Sequence, residues 1–99
     1  MSLQCQSSGL KSADAAILAV PGKVVGIQLI PDGTNACSLI IYDHASSASG
    51  TVVLKVALPA SSTQDNTVML NHPILCHSGI YADVTGTGAN YIVHYSVGD

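Results

Sequence analysis

The sequence predicts an all-β fold, a single antiparallel β-sandwich or jelly-roll-like domain of seven to eight strands spanning residues 1–99. Two observations carry that prediction. Along most of the chain apolar side chains recur at every second position, the period of a half-buried strand. Clusters of Gly, Pro, Asp, Asn and Ser break the alternation about every 8–12 residues, the spacing of turns in sandwiches and barrels.

The opening "LQCQSS" alternates only weakly, so residues 1–12 read as an edge strand or an N-terminal arm. "ADAAILAV" at 13–20 is alanine-rich enough for a helical turn, but it is short and Pro21 stops a helix there. Pro21-Gly22 suits a type II turn. "KVVGIQLIP" then places Val25, Ile27 and Leu29 on one face with Gly26 and Gln28 on the other. In "PDGTN" Pro31 fixes φ, the Asp32 side chain can bond its own backbone, and Gly33 accepts positive φ.

"ACSLIIYD" sets Leu39 and Ile41 against Ser38, Ile40 and Tyr42; "TVVLKVALP" sets Val52, Leu54, Val56 and Leu58 against Thr51, Val53, Lys55 and Ala57. These two segments read as a hairpin across "HASSASG". "PASSTQDN", residues 59–66, is a polar connection, after which "TVMLN" opposes Val68 and Leu70 to Met69. "GIYADVT" and "NYIVHYSV" close the chain, read as a hairpin turned at Gly86–Gly88, with Cys76 and His77 in its entry loop.

Composition limits the function. Only 9% of residues are charged, three Lys and six Asp with no Arg or Glu, giving a net charge of −3. A nucleic-acid binder needs cationic side chains to displace phosphate counterions, and this chain has almost none. No apolar run approaches the ~20 residues of a membrane-spanning helix, and "MSLQCQSSGL" lacks the basic and apolar regions of a secretion signal, so a soluble chain is expected. Hydrophobic residues make up 47% of the sequence, and the mean hydropathy is +0.41. A small domain with so much apolar material and so few charges is expected to cover part of it by self-association.

Residues that could carry chemistry are sparse. Cys5, Cys37 and Cys76 are odd in number and widely spaced, which fits reduced thiols rather than a disulfide framework. His72, Cys76 and His77 are the nearest approach to a metal-ligand cluster, with His44 or His94 as a fourth ligand if the fold brought one close, but they lack the paired spacing of a structural zinc site. A copper site would place a methionine after the cysteine, whereas Met69 precedes Cys76. Cys76 and His77, adjacent on a strand, would point to opposite faces and make a poor catalytic dyad. Asp43 and Asp83 would have to meet across strands to form a carboxylate pair. The expectation is a protein without enzymatic activity, metal or cofactor.

The outward apolar residues remain. If the inner sets above face the core, then Ile40, Tyr42, Val53, Met69 and Tyr81 face away from it and form the candidate interface. A different reading makes Tyr42, Tyr81, Tyr91 or Tyr95 stacking platforms of a carbohydrate- or other ligand-binding module.

The segments "VPGKVVGIQLI", "CSLIIYDHASSASGTVVLKVALPA" and "HPILCHSGIYADVTGTGANYIVHYS" together resemble small virion-associated proteins of tailed bacteriophages. The resemblance runs from about Val20 to Ser96 and rests on glycine- and turn-rich strand boundaries rather than active-site motifs. It implies a capsid decoration, or cement, protein on the virion surface, made in the host cytoplasm, self-associating as a trimer and binding the major capsid protein. It brings no catalytic residues with it.

Overall fold

The computed structural model describes residues 5–97 and contains eight strands and no helix among them. The strands are β1 (Gln6–Ser7), β2 (Ala15–Leu18), β3 (Gly22–Ile30), β4 (Cys37–Asp43), β5 (Thr51–Leu58), β6 (Asn66–Cys76), β7 (Ile80–Thr85) and β8 (Asn90–Val97). All pairings are antiparallel, in two four-stranded sheets ordered β1-β8-β3-β6 and β2-β7-β4-β5.

The core lies between the sheets. Val24, Ile27, Leu29, Tyr91 and Val93 of the first sheet meet Leu39, Ile41, Ile80 and Ala82 of the second, all fully buried. Each of the Val, Leu and Ile side chains among them contributes ~1.5–3 kcal/mol relative to exposure. The alternation in the sequence is the consequence of this geometry, since each strand gives one face to the core and the other to its surroundings.

Segment 13–20 is a short strand rather than a helical turn, and β4 and β5 form the expected hairpin. The N-terminal stretch runs as an edge along β8. Gln6 and Ser7 pair with Tyr95 and His94, and Lys11 exchanges backbone hydrogen bonds of 2.9 Å with Tyr91 in both directions. The first four residues of the N-terminal arm reading lie outside the described residues.

The closing segment corrects an expectation. β7 and β8 are not a hairpin: β7 pairs with β2 and β4, while β8 pairs with β1 and β3 in the other sheet. The "GTG" turn is therefore a corner that carries the chain from one sheet to the other. Gly86 (φ +121°) and Gly88 (φ +73°) both take backbone conformations that disfavour other residues. A side chain at Gly88 would collide with Asp32, so the corner rests on the β3–β4 turn. That turn is closed as expected by Asp32, whose Oδ1 accepts the N–H groups of Thr34 and Asn35, each at 2.8 Å.

Register irregularities also displace side chains. In β3 the register skips Val25 between the Val24 and Gly26 pairs, so Val24 rather than Val25 is buried. In β5 the register skips Val53 between Val52 and Leu54. Opposite Val25, β6 carries the extra residues Leu70 to Pro73, because Gly26 pairs with Met69 and Val24 with Ile74. An extra residue on one strand reverses the inward and outward alternation that follows it.

Candidate functional site

The outer face of the second sheet brings three of the five candidate interface residues together. Ser38, Ile40 and Tyr42 alternate along β4 with the buried Cys37, Leu39 and Ile41. Tyr42 stands opposite Tyr81 on β7 and opposite Val52 on β5, and Ala16 of β2 lies beyond Tyr81. One turn of the pleat away, Ile40 stands between Asp83 and Lys55. The result is an apolar and aromatic row beside a row with a carboxylate at one end and an ammonium at the other.

Val53 does not belong to this face. Its position in the β5 bulge turns it inward, where it packs against the core, and Val52 takes the outward position with half its surface exposed. Met69 is also outward and exposed, but on the opposite side of the molecule, where it lies over Gly26 on the first sheet. The five residues therefore form no single patch: Ile40, Tyr42 and Tyr81 share a face, Met69 occupies the other, and Val53 turns half-buried toward the core.

The histidine and cysteine cluster is dispersed. Cys76 ends β6 with its side chain fully buried, while His72, in the extra segment of β6, and His77 are exposed. Burial, and to a lesser extent the Asp43 charge, pushes the Cys76 thiol up to about 11, the reverse of what a nucleophilic thiolate requires. Among the described residues no three His, Cys, Asp or Glu side chains gather as metal ligands do.

Asp43 and Asp83 do not meet either. Asp43 holds the β6–β7 turn, its carboxylate accepting the His77 N–H at 3.0 Å and the Ser78 N–H at 2.8 Å. Asp83 instead neighbours Asp14, whose Oδ1 accepts the Val84 N–H at 2.8 Å. Burial, then the Asp14 charge and hydrogen bond, raise the Asp83 carboxyl above the ordinary carboxylate value. No spacing rule exposes this pair, because Asp14 and Val84 lie 70 residues apart in sequence.

The tyrosines divide by role. Tyr42 and Tyr81 are partly exposed on the second sheet's outer face. Tyr91 is fully buried, with its hydroxyl donating to the Ala13 carbonyl at 2.7 Å, and Tyr95 packs against the core. Tyr42 and Tyr81 are the two that stand side by side on the second sheet's outer face.

On the first sheet's outer side, the extra β6 residues leave a cleft of about 270 Å³ between Leu70, Pro73, Val25, Lys23 and Ser96. It is largely apolar and owes its existence to the register break in β3 and β6.

Compared with known proteins, the chain matches no family model, no curated protein and no solved structure.

Proposed function

We propose that the protein is a structural subunit that works by association through the outer face of its second sheet, and that its setting is a phage virion, as a capsid decoration protein on the major capsid protein. The observation that carries the structural part is the contiguity of Ala16, Tyr81, Tyr42 and Val52 across four neighbouring strands, beside Ile40. Tyrosine and branched aliphatic side chains in one flat row suit a protein partner, since they supply large contact area at little entropic cost. The virion setting rests on the sequence resemblance given above. In that setting the subunit acts mechanically, burying surface across capsomer junctions so that opening the shell must break added contacts.

The experiment has two parts. Light scattering should find the purified chain as a closed oligomer, with a trimer the state the resemblance implies, and Tyr42→Asp should lower the mass while leaving the β-sheet circular dichroism unchanged. Cosedimentation with empty shells assembled from the major capsid protein of the same genome then tests the partner. A monomeric wild-type chain that also fails to sediment with shells would end the proposal.

A ligand-binding module is the second reading, favoured by the partly exposed Tyr42 and Tyr81 rings standing side by side. Glycan-array screening with no binding above background would dispose of it.

A further inference from the structure

We infer that two copies of the chain pack their second sheets face to face about a two-fold axis running along β4, with Asp83 of each copy paired to Lys55 of the other. The inference rests on the association reading above and specifies its geometry.

The argument starts from one row of the sheet. Asp83, Ile40 and Lys55 are register neighbours on β7, β4 and β5, so the acidic and basic side chains flank the isoleucine on the same face. Adjacent strands are ~4.8 Å apart, which puts the two charged positions on the order of 10 Å from each other across Ile40. Among the described residues no ion pair joins them within one copy, and the neighbour that Asp83 does have is another carboxylate, Asp14. One copy thus presents a carboxylate pair on one flank and an exposed ammonium on the other.

Symmetry decides what such a face accepts. In a two-fold contact the same patch serves both partners, so if one residue meets a second across the interface, the second meets the first on the other side of the axis. An axis along β4, lying between the two stacked sheets, exchanges β7 of one copy with β5 of the other and leaves β4 on β4. Asp83 then faces Lys55 of the second copy twice, and Ile40 faces Ile40. The neighbouring row follows the same rule: Tyr81 lies over the smaller Val52 of the second copy, and Tyr42 over Tyr42. Thr85, Ser38 and Ala57 complete the third row with small or polar side chains that leave room for the sheets to approach. An axis across the strands would instead place Asp83 on Asp83 and Lys55 on Lys55, juxtaposing like charges. The charge pattern selects the first arrangement, and the Lys55 ammonium supplies the cation that the Asp14–Asp83 pair lacks. Stacked sheets whose strands run close to parallel are a common packing, with the two layers ~10 Å apart.

The contact joins copies in pairs. A three-fold contact on other surface, with its axis at right angles to this two-fold, would combine with it into a hexamer.

Analytical ultracentrifugation of charge-reversed chains tests the inference. The wild-type chain should sediment as a dimer or a hexamer. Lys55→Asp alone sets a new carboxylate against Asp83 of its mate, and Asp83→Lys alone sets a new ammonium against Lys55, so each variant should weaken pairwise association at least tenfold. An equimolar mixture of the two restores opposite charges where the copies meet and should recover the dimer, which a merely structural effect of either substitution would not do. Unchanged circular dichroism shows that the variants fold; if Asp83→Lys fails to fold, Lys55→Asp mixed with an Asp83→Asn chain carries the same comparison. If the wild type associates and the variants associate equally well, or the mixture fails to recover, this pairing is wrong while self-association stands. A wild type that is only trimeric also overturns the pairing alone. A monomer at millimolar concentration overturns both.

Discussion

The Asp43 carboxylate bridges two sheets by accepting the Ser78 N–H at 2.8 Å and the His77 N–H at 3.0 Å, so the last residue of β4 holds the turn that carries the chain from β6 to β7. Burial alone would raise its pKa, but the N–H groups of Ser78, His77 and Gly79 and the His77 charge outweigh it and hold the carboxyl below its ordinary 3.8. A depressed folded-state pKa gives stability that is whole above the unfolded value and is lost as pH falls through the folded one. Asp43→Asn, which keeps the shape but removes the charge, should cost about 1–2 kcal/mol at neutral pH. The deficit should shrink as pH falls below the unfolded value of 3.8 and through the lower folded-state value, where the wild-type carboxylate takes up its own proton. Urea unfolding at neutral pH and at the acid end measures both.

Gly26 is crowded from outside the sheet rather than from the core. A Cβ there would strike Met69 Sδ and lie 2.7 Å from the Val68 carbonyl oxygen. Gly26→Ala should therefore destabilise the fold by about 1–3 kcal/mol, despite the usual advantage of alanine over glycine in a strand. Adding Met69→Ala frees the thioether's space but not the carbonyl's, so the double variant should recover only part of the loss. Thermal unfolding of the wild type, the single and the double variant distinguishes this from a simple propensity effect.

Tyr91 ties the N-terminal edge to the core through its hydroxyl on Ala13, and burial, with smaller contributions from Asp14 and Tyr81, pushes its pKa up to about 12. A raised folded-state pKa gives stability that is present below the unfolded value of 10 and is lost as pH rises through 12. Absorbance titration at 295 nm should show a late tyrosine step near 12 that belongs to Tyr91. Tyr91→Phe should remove that late step and cost about 1 kcal/mol at neutral pH, because the Ala13 carbonyl loses its partner.

The thiols separate by burial. Cys5 is exposed, whereas Cys37 and Cys76 are buried, and burial raises both of the latter, with a smaller effect from Asp32 at Cys37 and from Asp43 at Cys76. An aromatic disulfide reagent at neutral pH should modify one thiol per folded chain rapidly and the other two at the rate of unfolding. Cys5→Ser should abolish the rapid phase and leave the slow one.

The strands were legible because a one-face-buried strand imposes a two-residue period on the sequence, and Leu39, Ile41, Ile27 and Leu29 obey it without interruption. What the period does not reveal is where it slips. At Val25 and Val53 a strand gains one residue relative to its neighbour, and two consecutive valines give no sign of which one faces inward. Sheet membership was equally hidden: "GTG" permits a hairpin and a corner alike, and only the pairing of β7 with β4 and of β8 with β3 distinguishes them. Tyr42 and Tyr81 could be assigned outward from parity alone, but their adjacency, and the Asp14–Asp83 contact beside them, arise from long-range register.

Val52 and Val53 test the β5 bulge directly. They are the same residue type at adjacent positions, so strand propensity and side-chain size cancel in the comparison. Val53 packs on the core from the bulge, while Val52 is 51% exposed beside Tyr42. Val53→Ala should cost about 1 kcal/mol, less than a fully buried truncation because the site is only partly enclosed. Val52→Ala should stay within about 0.5 kcal/mol when unfolding is followed at concentrations low enough to keep the chain unassociated. With uninterrupted alternation the ranking would be reversed, since Val52 would then share the inner face with Leu54 and Val56. Chemical denaturation of the two variants side by side decides between the two registers, and a larger loss at Val52 would remove the bulge from this account of the fold.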